Sequence, residues 1–273
     1  DPRGNRHAFI QVIQAVTGQT AYHRFDYRDF SASADRLDIR IADHSFSTDG
    51  LSVQIDRPEG TVKGRLTFSD VHAFPVTRLN PGIMGPFSFV PFMECYHAII
   101  HLYHQISGSL QINSEVMSFD GGVGYIEKDY GRSFPRTYLW LQASHFEAGN
   151  ASFVFSRARI PFLGREFPGF FAYFTDFAGI STRFATYNHS KLTGWAVDPV
   201  AGTCQGRLEG PDGILTFSAR MAGGGRLRAP IDGLMDREIV ESITARVSLR
   251  LTDPGGKVLY ESSSGEAGME ISL

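Results

Sequence analysis

Side chains able to do chemistry crowd into one stretch of this 273-residue chain, GYIEKDYGRSFPRTYLWLQASHF, from Gly124 to Phe146. Glu127, Lys128, Asp129, Arg132, Gln142 and His145 stand there among Tyr125, Tyr130, Phe134, Tyr138 and Trp140. A segment that only filled a core would not carry so many polar groups. In an extended chain alternate residues share a side, so Glu127 and Asp129 face one way. Tyr138, Trp140 and Gln142 likewise share one side of the following segment. Gly131 and Pro135 suit the turn that must join the two. Carboxyls set among aromatic faces describe a pocket that holds a large apolar ligand and acts on one polar end of it.

A carboxyl beside aromatic surface is held more strongly to its proton and can serve as an acid near neutral pH. Glu127 is the first candidate and Asp129 the second, unless Lys128, Arg132 or Arg136 pairs with them and merely braces the turn. Glu94, in FMECYH, can bring a further acid from another strand. Trp140 offers a flat face to an aromatic head group or to positive charge developing on an alkene. Gln142 can hydrogen-bond a hydroxyl or quinone oxygen, and Tyr125, Tyr130 and Arg132 complete the set of substrate-binding candidates. His97, His101 and His104 would share one face of a helix and could bind a metal there. Their β-branched and aromatic setting, YHAIIHLYH, reads equally as a strand, with His97 and His101 on one side and His104 on the other. No metal site is therefore expected, and His97, nearest Glu94, is the pocket candidate. His145 lies opposite Trp140 and is the weakest of the binding candidates. A P-loop and a GxSxG motif are absent, and GGVG (Gly121–Gly124) lacks the strand–helix context of a dinucleotide site, so no cofactor is expected.

The same stretch resembles the hallmark segment of the tocopherol cyclase family. The matching residues are Tyr125, Glu127, Lys128, Asp129, Tyr130, Gly131, Phe134, Pro135, Arg136, Trp140 and Gln142. The resemblance extends upstream to Phe92-Met93-Glu94 and to Gly108 through Phe119. It resumes downstream at Leu227-Arg228-Ala229-Pro230 and from Gly256 to Ile271. It implies two lipocalin-like domains and a redox-neutral, cofactor-independent, acid-catalysed ring closure on a prenylated hydroquinone. The resembled motif carries Glu at 94 and 127 but Asn at 129, so a shared acid would be Glu127 or Glu94 rather than Asp129. The histidines at 97, 101 and 104 have no counterpart in it. A lipocalin-like carrier that binds a hydrophobic small molecule without reacting is the alternative. The resembled family has a Glu-Gly-Trp entry segment, which would precede Asp1.

Composition sets the frame. Hydrophobic residues make up 42% of the chain, enough for a sizeable core, and 22 phenylalanines suit a β-rich core or a pocket for an apolar ligand. A net charge of −3 argues against a nucleic-acid partner. The two cysteines, Cys95 and Cys204, are far apart and read as free thiols. No apolar run reaches the roughly 18–20 residues of a membrane span. These features fit a soluble protein, cytoplasmic or in peripheral contact with a membrane, and do not choose between them.

The elements needed to position the candidates are strands. Short alternating runs recur with turn residues between them, as in sandwiches and barrels. Examples are Leu51–Ile55, Thr61–Phe68, Tyr96–Tyr103, Gly108–Met117, Gly124–Asp129, Thr137–Phe146 and Ile243–Leu251. A Pro/Gly-rich passage at residues 79–91 interrupts the pattern, and a short helical turn is expected in Pro230–Ile239. The expected fold is all-β, two antiparallel lipocalin-like barrels or strongly curved sheets packed together. The expected domains are residues 1–120 and 121–273, with a cavity that can enclose one small ligand.

Overall fold

The computed structural model describes residues 4, 6–78, 80–162 and 165–273. The chain is laid out as three antiparallel sheets in sequence order. The first is a hairpin of β1 (His7–Ile13) and β2 (Thr20–Asp26). The second has eight strands: β3 (Phe30–Ala32), β4 (Asp38–Ile41), β5 (His44–Ser47), β6 (Gly50–Arg57), β7 (Gly60–Ala73), β8 (Cys95–Ile112), β9 (Glu115–Ser118) and β10 (Gly122–Gly131). The third has ten strands: β11 (Tyr138–Ala143), β12 (Ser152–Phe162), β13 (Arg165–Thr175), β14 (Ser181–Ala185), β15 (Lys191–Asp198), β16 (Thr203–Gly210), β17 (Gly213–Arg220), β18 (Gly225–Ile231), β19 (Leu234–Thr252) and β20 (Val258–Ser272). The architecture is all-β and antiparallel, as the alternation requires. The chain passes from the second sheet to the third between Gly131 and Tyr138, inside the polar–aromatic stretch itself.

Among the described residues, three apolar clusters hold the sheets. One lies under the third sheet and buries Leu139, Leu141, Phe153, Phe155, Phe174 and Met269 completely or nearly so. A second joins the hairpin to the eight-stranded sheet through Ile10, Phe25, Val53, Ile55 and Leu66. The third, with Phe74, Ile83, Met84, Leu102, Val154 and Tyr173, takes residues from both large sheets and welds them together. The Pro/Gly-rich passage feeds this junction: Ile83 is fully buried, and its carbonyl accepts a hydrogen bond from Tyr187 Oη at 2.5 Å. Leu79, at the start of that passage, lies outside the described residues.

Two expectations of the strand reading are corrected. Tyr96–Tyr103 and the start of Gly108–Met117 form one strand, β8, and only Glu115–Ser118 stands apart as β9. Gly108 suggested a break, but its φ of +114° serves a close approach, since a Cβ there would sit 2.4 Å from the Arg65 carbonyl oxygen. In place of a helical turn, Pro230–Ile239 holds a hairpin in which Ile231 pairs with Leu234 across Asp232-Gly233. Both turn residues have positive φ, the geometry of a tight hairpin turn.

Bulges decide where the histidines point. Opposite Gly124 and Ile126 of β10, the partners on β8 are His104 and His101, one residue more than plain pairing allows. A further register shift follows before Glu127 meets Ile99. Each extra residue reverses the side on which later side chains emerge. His101 therefore joins His104, with their Nδ1 atoms 3.2 Å apart, instead of sharing a side with His97.

Candidate functional site

A cavity of about 130 Å³ opens between the two large sheets. Its walls are mainly apolar, with Met84, Phe87, Met93, Phe134, Phe170 and Phe171 among them. Into this wall project Glu94, His97, Glu127, Asp129, Tyr138, Trp140 and Glu270. The volume matches the void, about 150 Å³, that takes up one aromatic ring.

The strand register assembles the polar group. On β10 and β8, Asp129 stands directly opposite His97, and Asp129 Oδ1 is 2.7 Å from His97 Nδ1. The other ring nitrogen, Nε2, is buried and lies 3.3 Å from Glu127 Oε2 without the alignment of a hydrogen bond. The same Glu127 oxygen accepts from Tyr125 Oη at 2.8 Å and from Trp140 Nε1 at 3.1 Å. Burial drives the Glu127 carboxyl above its ordinary range. The His97 charge opposes this, Asp129 adds to it, and the two hydrogen bonds oppose it, with a net upward shift. Burial acts to lower His97, but Glu127 and the hydrogen bond and charge of Asp129 outweigh it and raise the imidazolium. The ligand atoms of His97, Glu127 and Asp129 lie within 4.8 Å of one another, so these three could also hold a metal ion.

A further, half-buried acid lines the cavity beside Trp140. Glu270 of β20 pairs in register with Trp140 of β11 on one side and Glu241 of β19 on the other. Tyr138 donates to Glu270 Oε2 at 2.5 Å. Burial, then the Glu241 charge, pushes the Glu270 carboxyl up to about 8. Burial, then Glu127, pushes Glu241 up to about 7. Glu94 is raised as well, by burial and then by Asp232. Cys95 also lines the cavity, but burial and three neighbouring carboxylates push its thiol up to about 12, which makes it a poor nucleophile. Both cysteines are free.

The structure thus brings together Glu94, His97, Tyr125, Glu127, Asp129 and Trp140. Four other binding candidates stand elsewhere. Gln142 follows Trp140 on the same side of β11, but donates to Ser144 Oγ, whose hydroxyl bonds the Leu102 carbonyl, and it plugs the junction between the sheets. Tyr130 is half exposed and stacks on Tyr96 at 4.8 Å, past the end of the cavity. Arg132 contributes its backbone N–H to the Glu94 carbonyl while its side chain is exposed. His145 is on the outer surface, 2.9 Å from Glu266, because it faces away from Trp140. Lys128 reaches over the Tyr130 ring rather than toward Glu127. Glu270 and Glu241 were not singled out by the sequence. The available signal was a Glu in the otherwise small and apolar strand AGMEISL, but its partner Trp140 is 130 residues away in the chain.

One glycine makes room for the indole. A Cβ on Gly268 would lie 2.7 Å from Trp140 Cη2 and Cζ3. Gly268→Ala is therefore expected to swing the indole off Glu127. With only Trp140 and Trp195 in the chain, the displacement should register as a shift in tryptophan emission that is absent from a Trp140→Phe background. Unchanged emission would show that the indole is not seated on Gly268.

The model of a family described as tocopherol cyclase-like matches residues 59–273. No curated protein matches the chain. Among solved structures, a protein assigned as AttH from Nitrosomonas europaea superposes with a TM-score of 0.50 at 12% identity, covering 95% of this chain and 79% of that one. Kievitone hydratase from Nectria haematococca superposes with a TM-score of 0.50 at 11% identity, covering 98% and 81%. At such identities the likeness is one of fold, and that fold is lipocalin-like.

Proposed function

The chain belongs to the tocopherol cyclase-like family, and from that premise we propose that it is an enzyme adding a hydroxyl group across a carbon–carbon double bond within one apolar substrate. A prenylated hydroquinone or another isoprenoid-like molecule carries both groups. Proton transfer to the less substituted alkene carbon leaves a tertiary cation, the hydroxyl oxygen attacks it, and the hydroxyl proton departs. The product is an isomer of the substrate.

The observation that supports this reading is the convergence of Tyr125, Trp140 and His97 on one oxygen of Glu127 in the wall of an apolar cavity. A carboxylate fixed in this way is placed to accept a proton from a bound hydroxyl. Its elevated proton affinity brings it nearer to neutrality, where a general base works best. Glu127 is thus the orienting carboxylate and base. His97, held by Asp129, presents its unbonded Nε2 beside it as a second contact for the hydroxyl. The Trp140 face is the surface for the cation, and the apolar walls of the cavity hold the reacting end in one shape away from water. Glu94 stands in the same wall as a further polar contact.

Asp129 and His97 both depart from the resembled motif, and the structure sets them 2.7 Å apart. Two departures that form one ion pair support a substrate different from the tocopherol precursor. A non-catalytic carrier would keep its carboxyls outside the cavity, engaged by Arg or Lys. Here Glu127, Asp129 and Glu270 line the cavity, and the cation beside Glu127 and Asp129 is His97.

The test is incubation with a panel of prenylated phenols and hydroquinones in deuterated water. The expected product is an isomer of the substrate one mass unit heavier, with one solvent deuteron fixed on carbon in place of the hydroxyl hydrogen lost on ring closure. Ligands that bind yet return unchanged and unlabelled across the panel would leave the carrier reading in its place.

A further inference from the structure

We infer that Glu270 is the acid that delivers the proton to the alkene, with Glu241 and Tyr138 as the residues that hold it in readiness. This inference rests on the reaction proposed above. Glu270 lines the same cavity as Glu127 and stands on the strand that pairs with the Trp140 strand, with Trp140 itself as its register partner. An alkene lying along the indole would therefore lie near Glu270, while its hydroxyl end reaches Glu127 through the Trp140 Nε1 contact.

The surroundings of Glu270 differ from those of Glu127. From β11 it is met by Tyr138, which donates to Oε2. From β19 it is met by Glu241, its register partner, with Arg237 beyond it, over the Tyr138 ring. From β10 the nearest charges are Glu127 and Asp129. None of these is a cation in contact with its carboxyl, whereas Glu127 has His97 at 3.3 Å. Two carboxyls facing one cavity, one with a cation beside it and one without, can divide the roles of base and acid. The neutral carboxyl of Glu270 is kept by burial and by Glu241, and the Tyr138 bond on Oε2 leaves Oε1 to carry the proton.

The step balances without any further reactant. The O–H bond of Glu270 breaks and a C–H bond forms at the alkene. The hydroxyl oxygen closes a C–O bond on the cation, and its proton passes to Glu127. Glu127 then releases one proton to solvent and Glu270 regains one, so no electrons are exchanged.

Glu270→Gln keeps the size of the side chain and the acceptor for Tyr138. It is expected to lower kcat by about 10²–10⁴-fold with KM little changed. Infrared spectroscopy at neutral pH is expected to show one protonated-carboxyl band in the wild type that this variant lacks, a readout that needs no substrate. The alkaline limb of the pH–rate profile, where the acid is lost, is expected to move in opposite directions in two further variants. Glu241→Gln removes a charge that raises Glu270, so the limb moves down. Tyr138→Phe removes a hydrogen bond that lowers it, so the limb moves up. Wild-type kcat in Glu270→Gln, an unchanged infrared band, or limbs that stay in place would each overturn the assignment. A wild type that turns over no substrate, yet shows the Glu270 band, would overturn the reaction and the donor role with it, while leaving the buried proton demonstrated.

Discussion

Replacing Glu127 with Gln is expected to reduce turnover by about 10²–10⁴-fold, the range of a lost general base. The substitution is nearly isosteric. The amide oxygen can still accept from Tyr125 and Trp140, so the wall of the cavity and the seat of the indole should persist. What is lost is the capacity to take a proton and the negative charge opposite His97. The loss should therefore fall on kcat, with KM nearly unchanged. A second readout is independent of turnover. Glu127 is the foremost of the groups raising the His97 imidazolium, so in the variant the His97 titration should move to lower pH, observable by NMR of the ring protons. Asp129 still holds Nδ1, so the ring should stay in place. Retention of wild-type kcat would remove Glu127 from the chemistry. A drop in kcat with an unmoved His97 titration would place Glu127 and His97 in separate roles.

Much of this site was legible because it lies in one stretch of chain. Alternation alone places Tyr125, Glu127 and Asp129 on one side of β10, and Trp140 follows after a turn that Gly131 and Pro135 announce. The same alternation failed where the fold departs from plain pairing. His101 and His104 met because β8 carries an extra residue between them, and nothing in YHAIIHLYH marks a bulge. Gln142 shares its side of β11 with Trp140, yet lies farther along the strand, where the sheets close on each other and Ser144 takes its amide. The side of a strand can be read from its period, but not the point along it where a cavity ends. Glu270 was out of reach for a third reason. Its meaning depends on β20 pairing with β11, a contact between chain segments that carry no local sign of each other. Tyr130 and Arg132 show the converse, since Tyr130, Gly131 and Arg132 run out past the rim of the cavity and meet solvent before the chain returns at Phe134.

The protein is expected to be most stable at mildly acidic pH and to lose stability as the pH rises toward 8, with Glu270 as a principal cause. In the unfolded chain Glu270 would release its proton near 4.5, whereas in the fold it holds it to about 8. Between those values unfolding releases a proton, so rising pH favours the unfolded state. The stabilising contribution is complete below about 4.5 and is lost as the pH climbs to about 8. For a group with this shift the full difference is at most about 5 kcal/mol, a large part of the stability of a typical domain. Glu127, also raised, and His97, raised above 6.5, slope in the same direction. The buried neutral histidines slope the other way. Burial lowers His23, His44 and His101, and it brings His104 down to about 4. Their contribution is present above 6.5 and is lost as the pH falls through the folded values, so they add to the acid side of the stability curve. Glu270→Gln removes only the alkaline slope contributed by that one residue. Urea unfolding from pH 4 to 9 should show the wild-type curve falling steeply above its maximum and the variant flatter by up to one proton per molecule. On the acid side the two curves should run parallel only below about 4.5, where Glu270 is protonated in the folded and unfolded states alike. A variant whose alkaline limb is as steep as the wild type's would mean that Glu270 is already ionised in the folded protein, and the proton it is meant to donate would have no place in the cavity.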